Sequence, residues 1–168
     1  MRQGKKTRSL VLGIGNVDRQ DDGAAYWVVQ ALRRRLGQPL LGPDETGLED
    51  LGGRVDSIFL AQLVPELLDT AVDYDRLVFV DAHAQPEWQD LHCAPVKPEH
   101  QITILTHHLT PGLFMALLQA LYGCTPKAFL VSLRGHQFDF GRELSAATAA
   151  LIEPALAEIM RRVIPKAR

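Results

Sequence analysis

Residues 9–23 read SLVLGIGNVDRQDDG: a short apolar run that stops at glycine, a polar loop, and two consecutive acids before another glycine. The run SLVLGIG has the unbroken hydrophobicity of a strand buried on both faces, as the strands of a parallel sheet are. Beyond Asp21-Asp22-Gly23, the residues Ala25, Val28, Val29, Leu32 and Leu36 fall at helical spacing. Arg33, Arg34 and Arg35 stand near the end of that helix, where cations complement its dipole. A strand, a glycine-bearing turn and a helix in this order open an α/β fold. Turns of this kind commonly cradle phosphate, yet this one carries Asp18, Asp21 and Asp22 against the single Arg19.

The alternation continues along the chain. Residues 40–53, preceded by Pro39, mix turn formers with acids and read as loop with a short helical piece. RVDSIFL at 54–60 alternates like a strand, and Pro65 suits the first turn of a helix carrying Leu67, Leu68 and Ala71. RLVFVDA at 76–82 is the clearest buried strand and runs out at Asp81. Pro86, Pro95 and Pro98 restrict residues 85–99 to loop or edge strand. QITILTHHLTPG at 101–112 begins with a short strand, after which Thr110 and Pro111 read as the N-cap and first residue of a helix. That helix is expected to carry Leu113, Leu117, Leu118 and Leu121 on one face and to stop at Gly123. AFLVSLRG at 128–135 is the last buried strand, and Ser145 is expected to cap a closing helix bearing Leu151, Ile152, Leu156, Ile159 and Val163. The pattern predicts a single-domain α/β three-layer sandwich: a twisted, mostly parallel sheet of about five strands with helices on both faces.

Composition supports one domain across residues 1–168 and narrows the partners. The chain has 168 residues, 46% of them hydrophobic, and a formal net charge of −2. That balance gives no basic face for nucleic acid or a membrane surface, so neither is an expected partner. Residues 1–8, MRQGKKTR, form a basic lead-in without the apolar stretch of a secretory signal. No apolar run approaches the roughly 20 residues that cross a bilayer, and the expected location is cytoplasmic. Cys93 and Cys124, far apart and outside any CxxC pattern, read as reduced thiols, Cys124 as a packing residue.

In an open parallel sheet, functional groups gather beyond the carboxyl ends of the strands. Asn16, Asp18, Asp21 and Asp22 follow the first strand, Asp81 and His83 end the RLVFVDA strand, and His107 and His108 follow the QITIL strand. A dinucleotide fingerprint fits poorly, because GIGN is followed by no glycine until Gly23 and the acids would compete with a phosphate. Two carboxylates and an imidazole brought together suit a divalent cation such as zinc, nickel, cobalt or manganese. Each group also has an ordinary reading: one Asp of the pair as an N-cap, Asp81 as the cap of a neighbouring loop, a histidine as a surface residue. No G-x-S-x-G elbow, HExxH helix or P-loop occurs. His92, His100 and His136 read as solvated, and Trp27 and Trp88 as packing or contact aromatics.

GIGNVDRQDDG, VFVDAHA, THHLTP and FDFGRELS at 138–145 occur in an order and spacing similar to those of the hydrogenase maturation endopeptidases, which process the large subunit of nickel-iron hydrogenases. The resemblance covers residues 10–164, and QLVPE at 62–66 resembles a stretch of one branch of that family. It implies an endopeptidase that removes a short C-terminal extension from the hydrogenase large-subunit precursor after nickel insertion. It also implies nickel supplied by the substrate, with another divalent cation possible in isolation. Motif by motif, the metal-contacting and catalytic positions fall on Asp22, Asp81 and His107, with Asp21 as helix cap or support behind them and His108 in reserve. The chain departs from the family pattern at Ala24 and Ala25, where a further glycine is frequent, and at Gln20, where glycine is also frequent; neither removes a ligand. Two rival functions share these residues: a non-proteolytic hydrogenase assembly factor, and a metal-dependent hydrolase of a small substrate.

Overall fold

Five strands form one sheet in the order β2-β1-β3-β5-β4 in the computed structural model, which describes residues 7–100 and 108–164. β1 (Ser9–Ile14), β2 (Val55–Leu60), β3 (Arg76–His83) and β5 (Lys127–Arg134) run parallel, and β4 (Leu91–Val96) closes one edge antiparallel to β5. β4 therefore realises the edge-strand alternative for residues 85–99, with Pro95 at an exposed position. The strand expected at the start of QITIL, and His107 with it, lie outside the described residues.

Strand order sets where a site can form. The chain leaves β1 for β2 on one side, then returns past β1 to β3 on the other. The crossovers diverge there, so the carboxyl ends of β1 and β3 border a natural crevice.

Successive strand residues face opposite sides. Val11, Val78, Val80, Val131 and Leu133 face α1 (Ala24–Arg35) and α5 (Ile152–Val163). Leu10, Leu12, Leu77 and Phe79 face α2 (Leu68–Ala71) and α3 (Pro111–Tyr122). These layers and the mostly parallel sheet are those predicted from the sequence. Among the described residues, no helix is long and apolar enough to cross a membrane.

Local signals hold at most boundaries. The Thr110 hydroxyl accepts from the Leu113 N–H at 3.2 Å, Pro111 opens α3, and Gly123 ends it at φ 64°. Ser145 accepts from the Thr148 N–H and caps α4 (Ala146–Ala149), which leads into α5. Residues 40–53 are loop with one short turn, Leu48–Asp50. Pro65 begins a turn, Pro65–Leu67, continuous with α2.

One expectation is corrected. The buried face of α3 is Phe114, Met115 and Leu118, whereas Leu121 is 66% exposed. α3 is apolar nearly all round, so periodicity does not select a stripe. The edge-on contact of Phe114 with Phe79, ring centres 5.8 Å apart, decides its rotation. Arg33 lies in the last turn of α1, as expected, and is 2% exposed. Its guanidinium donates to the Pro39 carbonyl at 2.7 Å, Asp50 Oδ2 at 3.0 Å and the Ser57 carbonyl at 3.1 Å, tying the loop after α1 to β2.

Candidate functional site at the carboxyl ends of β1 and β3

The first wall of the crevice is the loop after β1. Gly15, at φ 155°, packs so closely that a Cβ there would stand 2.0 Å from the Asp22 carbonyl oxygen. The Asn16 N–H donates to that carbonyl and to Asp22 Oδ2, both at 3.2 Å, and the Asn16 side chain accepts from the Asp18 N–H at 2.9 Å. Gln20, at φ 49°, is the one non-glycine residue with positive φ among the described residues. It occupies the left-handed region, which glycine adopts far more readily than other residues. Contacts to the loop after β5 hold it there: its N–H donates to the Gly141 carbonyl at 2.7 Å and its side chain accepts from the Asp139 N–H at 3.2 Å.

Residues 20–23 form a single 3-10 turn, which gives the consecutive acids different surroundings. Asp21 is wholly buried. It accepts from the N–H groups of His136, Gln137 and Ser145 and from the Ser145 hydroxyl, at 2.7 to 2.9 Å. Burial alone would raise its pKa, but these hydrogen bonds outweigh it and hold the carboxyl at about 2. Asp21 therefore caps no helix by its side chain; it anchors the arm 136–145 that carries the FDFGRELS motif. Arg19 adds a second tie, its guanidinium donating to the Phe138 carbonyl at 2.8 Å. Asp22, half-buried, is left to the crevice.

The second wall is the end of β3. Asp81 lies one residue past the last β1 pairing and directly across the ladder from Ser132 of β5. Among the described residues its Oδ1 has no partner, and it is buried. Burial, and secondarily the negative charge of Asp22, push its carboxyl up to about 6, while the Ser132 hydroxyl donating to it pulls the other way. Asp22 and Asp81, distant in sequence, thus share one electrostatic environment.

His83 shares a strand face with Asp81. It is 7% exposed, with Nδ1 3.0 Å from Ser132 Oγ and Nε2 buried without a partner among the described residues. Burial and then the Arg134 guanidinium lower its pKa, with the Gln89 carbonyl opposing. Trp88 meets the His83 ring edge-on at 5.1 Å and stacks flat on His92 at 3.9 Å. Arg134 fixes the intervening loop, donating to Gln85 and Trp88 carbonyls and to Asp90. His92 is thus a stacked strand residue, not a solvated loop histidine; Trp88 packs, and Trp27 is exposed.

Of the residues selected from sequence, Asp22 and Asp81 come together and His107 lies outside the described residues. His108 is exposed, sharing a 3.2 Å hydrogen bond between its Nδ1 and Gln62 Oε1, which brings the THHLTP and QLVPE segments into contact. Among the described residues, no three His, Cys, Asp or Glu side chains form a group able to hold a metal ion. The pair itself is a hard donor set, and the orphaned Asp81 Oδ1 is an acceptor suited to a cation. Ser132 was missed from sequence; its signal was a lone hydroxyl inside the apolar run AFLVSLRG.

No protein-family model matches the sequence, and no curated protein matches it. Solved structures do. The hydrogenase maturating endopeptidase HybD from E. coli superposes with a TM-score of 0.70 at 22% identity, covering 94% of this chain and 92% of that one. The [NiFe] hydrogenase maturation protease HybD from Thermococcus kodakarensis gives 0.66 at 16% identity, over 94% and 100%. The [NiFe] hydrogenase maturation protease HycI from Thermococcus kodakarensis KOD1 gives 0.63 at 21% identity, over 95% and 94%. The chain has the fold of these proteins over nearly its whole length.

Proposed function

We propose that this chain is an endopeptidase that removes the C-terminal extension of a nickel-iron hydrogenase large-subunit precursor after nickel insertion. The observation that carries the reading is the meeting of Asp22 and Asp81 at the sheet's switch point, within a fold shared with named maturation endopeptidases. The fold alone would not carry a function.

In this reading, nickel arrives as part of the substrate, held by the precursor. Asp22, Asp81 and His107 receive it, so a precursor without the metal is not engaged. A divalent ion so held polarises a nearby carbonyl or acidifies a bound water. The chain's own contribution is placement: the Gly15 turn holds Asp22, β3 holds Asp81, and the arm tied to Asp21 flanks them. Asp81, with a pKa near 6, is able to take or release a proton near neutral pH when no cation engages it.

The test is cleavage of nickel-loaded large-subunit precursor by the purified chain, compared with Asp22→Asn, Asp81→Asn and His107→Ala. The expected result is shortening by the wild type and its loss in each variant. Unchanged cleavage by all three removes the assignment. Precursor bound by the wild type but left at full length supports the assembly-factor reading instead.

A further inference from the structure

Ser132 and His83 are buried polar side chains beside Asp81, and the reading above gives them no work. Ser132 is wholly buried in an otherwise apolar strand, directly across the ladder from Asp81. A hydroxyl has one proton to donate and lone pairs to accept with. Were that proton given to the Asp81 carboxylate across the ladder, Ser132 Oγ would be left as an acceptor toward His83 Nδ1, 3.0 Å away. Nδ1 would then carry the imidazole hydrogen, and Nε2 would be the bare nitrogen. Nε2 is the ring atom buried without a partner among the described residues, and interiors tolerate an orphaned acceptor better than an orphaned N–H.

We propose that Ser132 and His83 are positioning residues for Asp81, linked as His83 Nδ1–H to Ser132 Oγ–H to carboxylate, so that one oxygen is engaged and Oδ1 is free for a cation. The proposal rests on Asp81 as a contact for the precursor's nickel and adds the groups that aim it. Hydrogen bonds of this kind behind a metal-contacting carboxylate are worth roughly 10- to 100-fold in affinity or activity.

Two measurements decide it. In the nitrogen-15-labelled chain, free of metal and precursor, the ring nitrogens of His83 should report a neutral Nδ1–H tautomer. Ser132→Ala should release that preference while thermal stability confirms folding. In precursor cleavage, Ser132→Ala and His83→Phe should each lower kcat/KM by roughly 10- to 100-fold. Ser132→Thr, which keeps the hydroxyl, and His83→Asn, whose amide donates from about the place of Nδ1–H, should recover most of it. An Nε2–H tautomer in the wild type, with the ring donating toward the Gln89 carbonyl, overturns the proposal. So does full cleavage by Ser132→Ala beside an inactive Asp81→Asn. If the wild type leaves the precursor uncut, the endopeptidase reading falls, and the spectra alone decide for or against the linkage.

Discussion

Gly15 and the carbonyl of Asp22 are in such close approach that the loop closes on itself before the chain enters α1: an added Cβ would lie 2.0 Å from that oxygen. The obstacle is backbone, not the end of a flexible side chain, so relief requires the turn to open. Opening it also breaks the Asn16 N–H contacts that hold Asp22. Gly15→Ala should therefore destabilise the fold by about 3 kcal/mol or more. A thermal melt within a degree or two of wild type would show that the turn has more room than its contacts indicate.

Asp21→Asn keeps the size of the side chain but replaces an acceptor oxygen with an NH2 group facing N–H donors. The carboxyl's pKa falls from 3.8 to about 2 on folding, so ionised Asp21 stabilises the native state. That stability is fully present above the unfolded value and is lost as pH falls through the folded one. The variant should lose about 2 kcal/mol at pH 7, with the difference shrinking below pH 4. Urea denaturation at pH 7 and pH 3 checks both magnitude and direction.

Asp81 has the opposite linkage. Its pKa rises from 3.8 to about 6 on folding, so the protonated form is the one folding favours. That share of stability is complete below the unfolded value and lost as pH rises through the folded one. Asp81→Asn should accordingly be more stable than wild type by about 1–3 kcal/mol at pH 7.5, with little difference at pH 4. Melting curves across that range, with divalent cation removed, are the measurement. Such a gain, paired with lost precursor cleavage, is the signature of a residue kept for chemistry at a cost in stability.

Arg33 separates support of the fold from work at the site. Arg33→Met keeps the buried stem but leaves the Ser57 and Pro39 carbonyls without their donor. A loss of about 2–3 kcal/mol is expected. Arg33 serves the loop between α1 and β2, away from Asp22 and Asp81, so precursor cleavage well below the melting temperature should stay near wild type.

Elements whose causes are local were legible in the sequence. Thr110, Pro111 and Gly123 bound α3 because capping needs only neighbours, and the buried strands announce themselves by unbroken apolar runs. Asp81 stood out as an acid ending such a run. The parts that sequence did not convey depend on distant partners. Arg33 turns inward because Ser57 waits there, Leu121 turns outward because Phe114 engages Phe79, and Ser132 acquires meaning only from its register against Asp81. The division of roles between Asp21 and Asp22 is of this kind, since Asp21's partners lie more than a hundred residues downstream.

The 3-10 turn at residues 20–23 makes this division a matter of angular phase. Neighbours in such a turn differ by about 120° around its axis, so one step along the chain exchanges an interior anchor for a crevice acid. Surface loops ordinarily accept insertions and deletions, and residues 42–46 have the character of such a loop. Residues 16–22 do not: adding one residue would carry Asp21 into the crevice place and leave the anchoring place without an acid, and removing one would carry Asp22 into the anchoring place and leave the crevice place without one. The spacing from Gly15 to Gly23 is thus a length that the protein has to count.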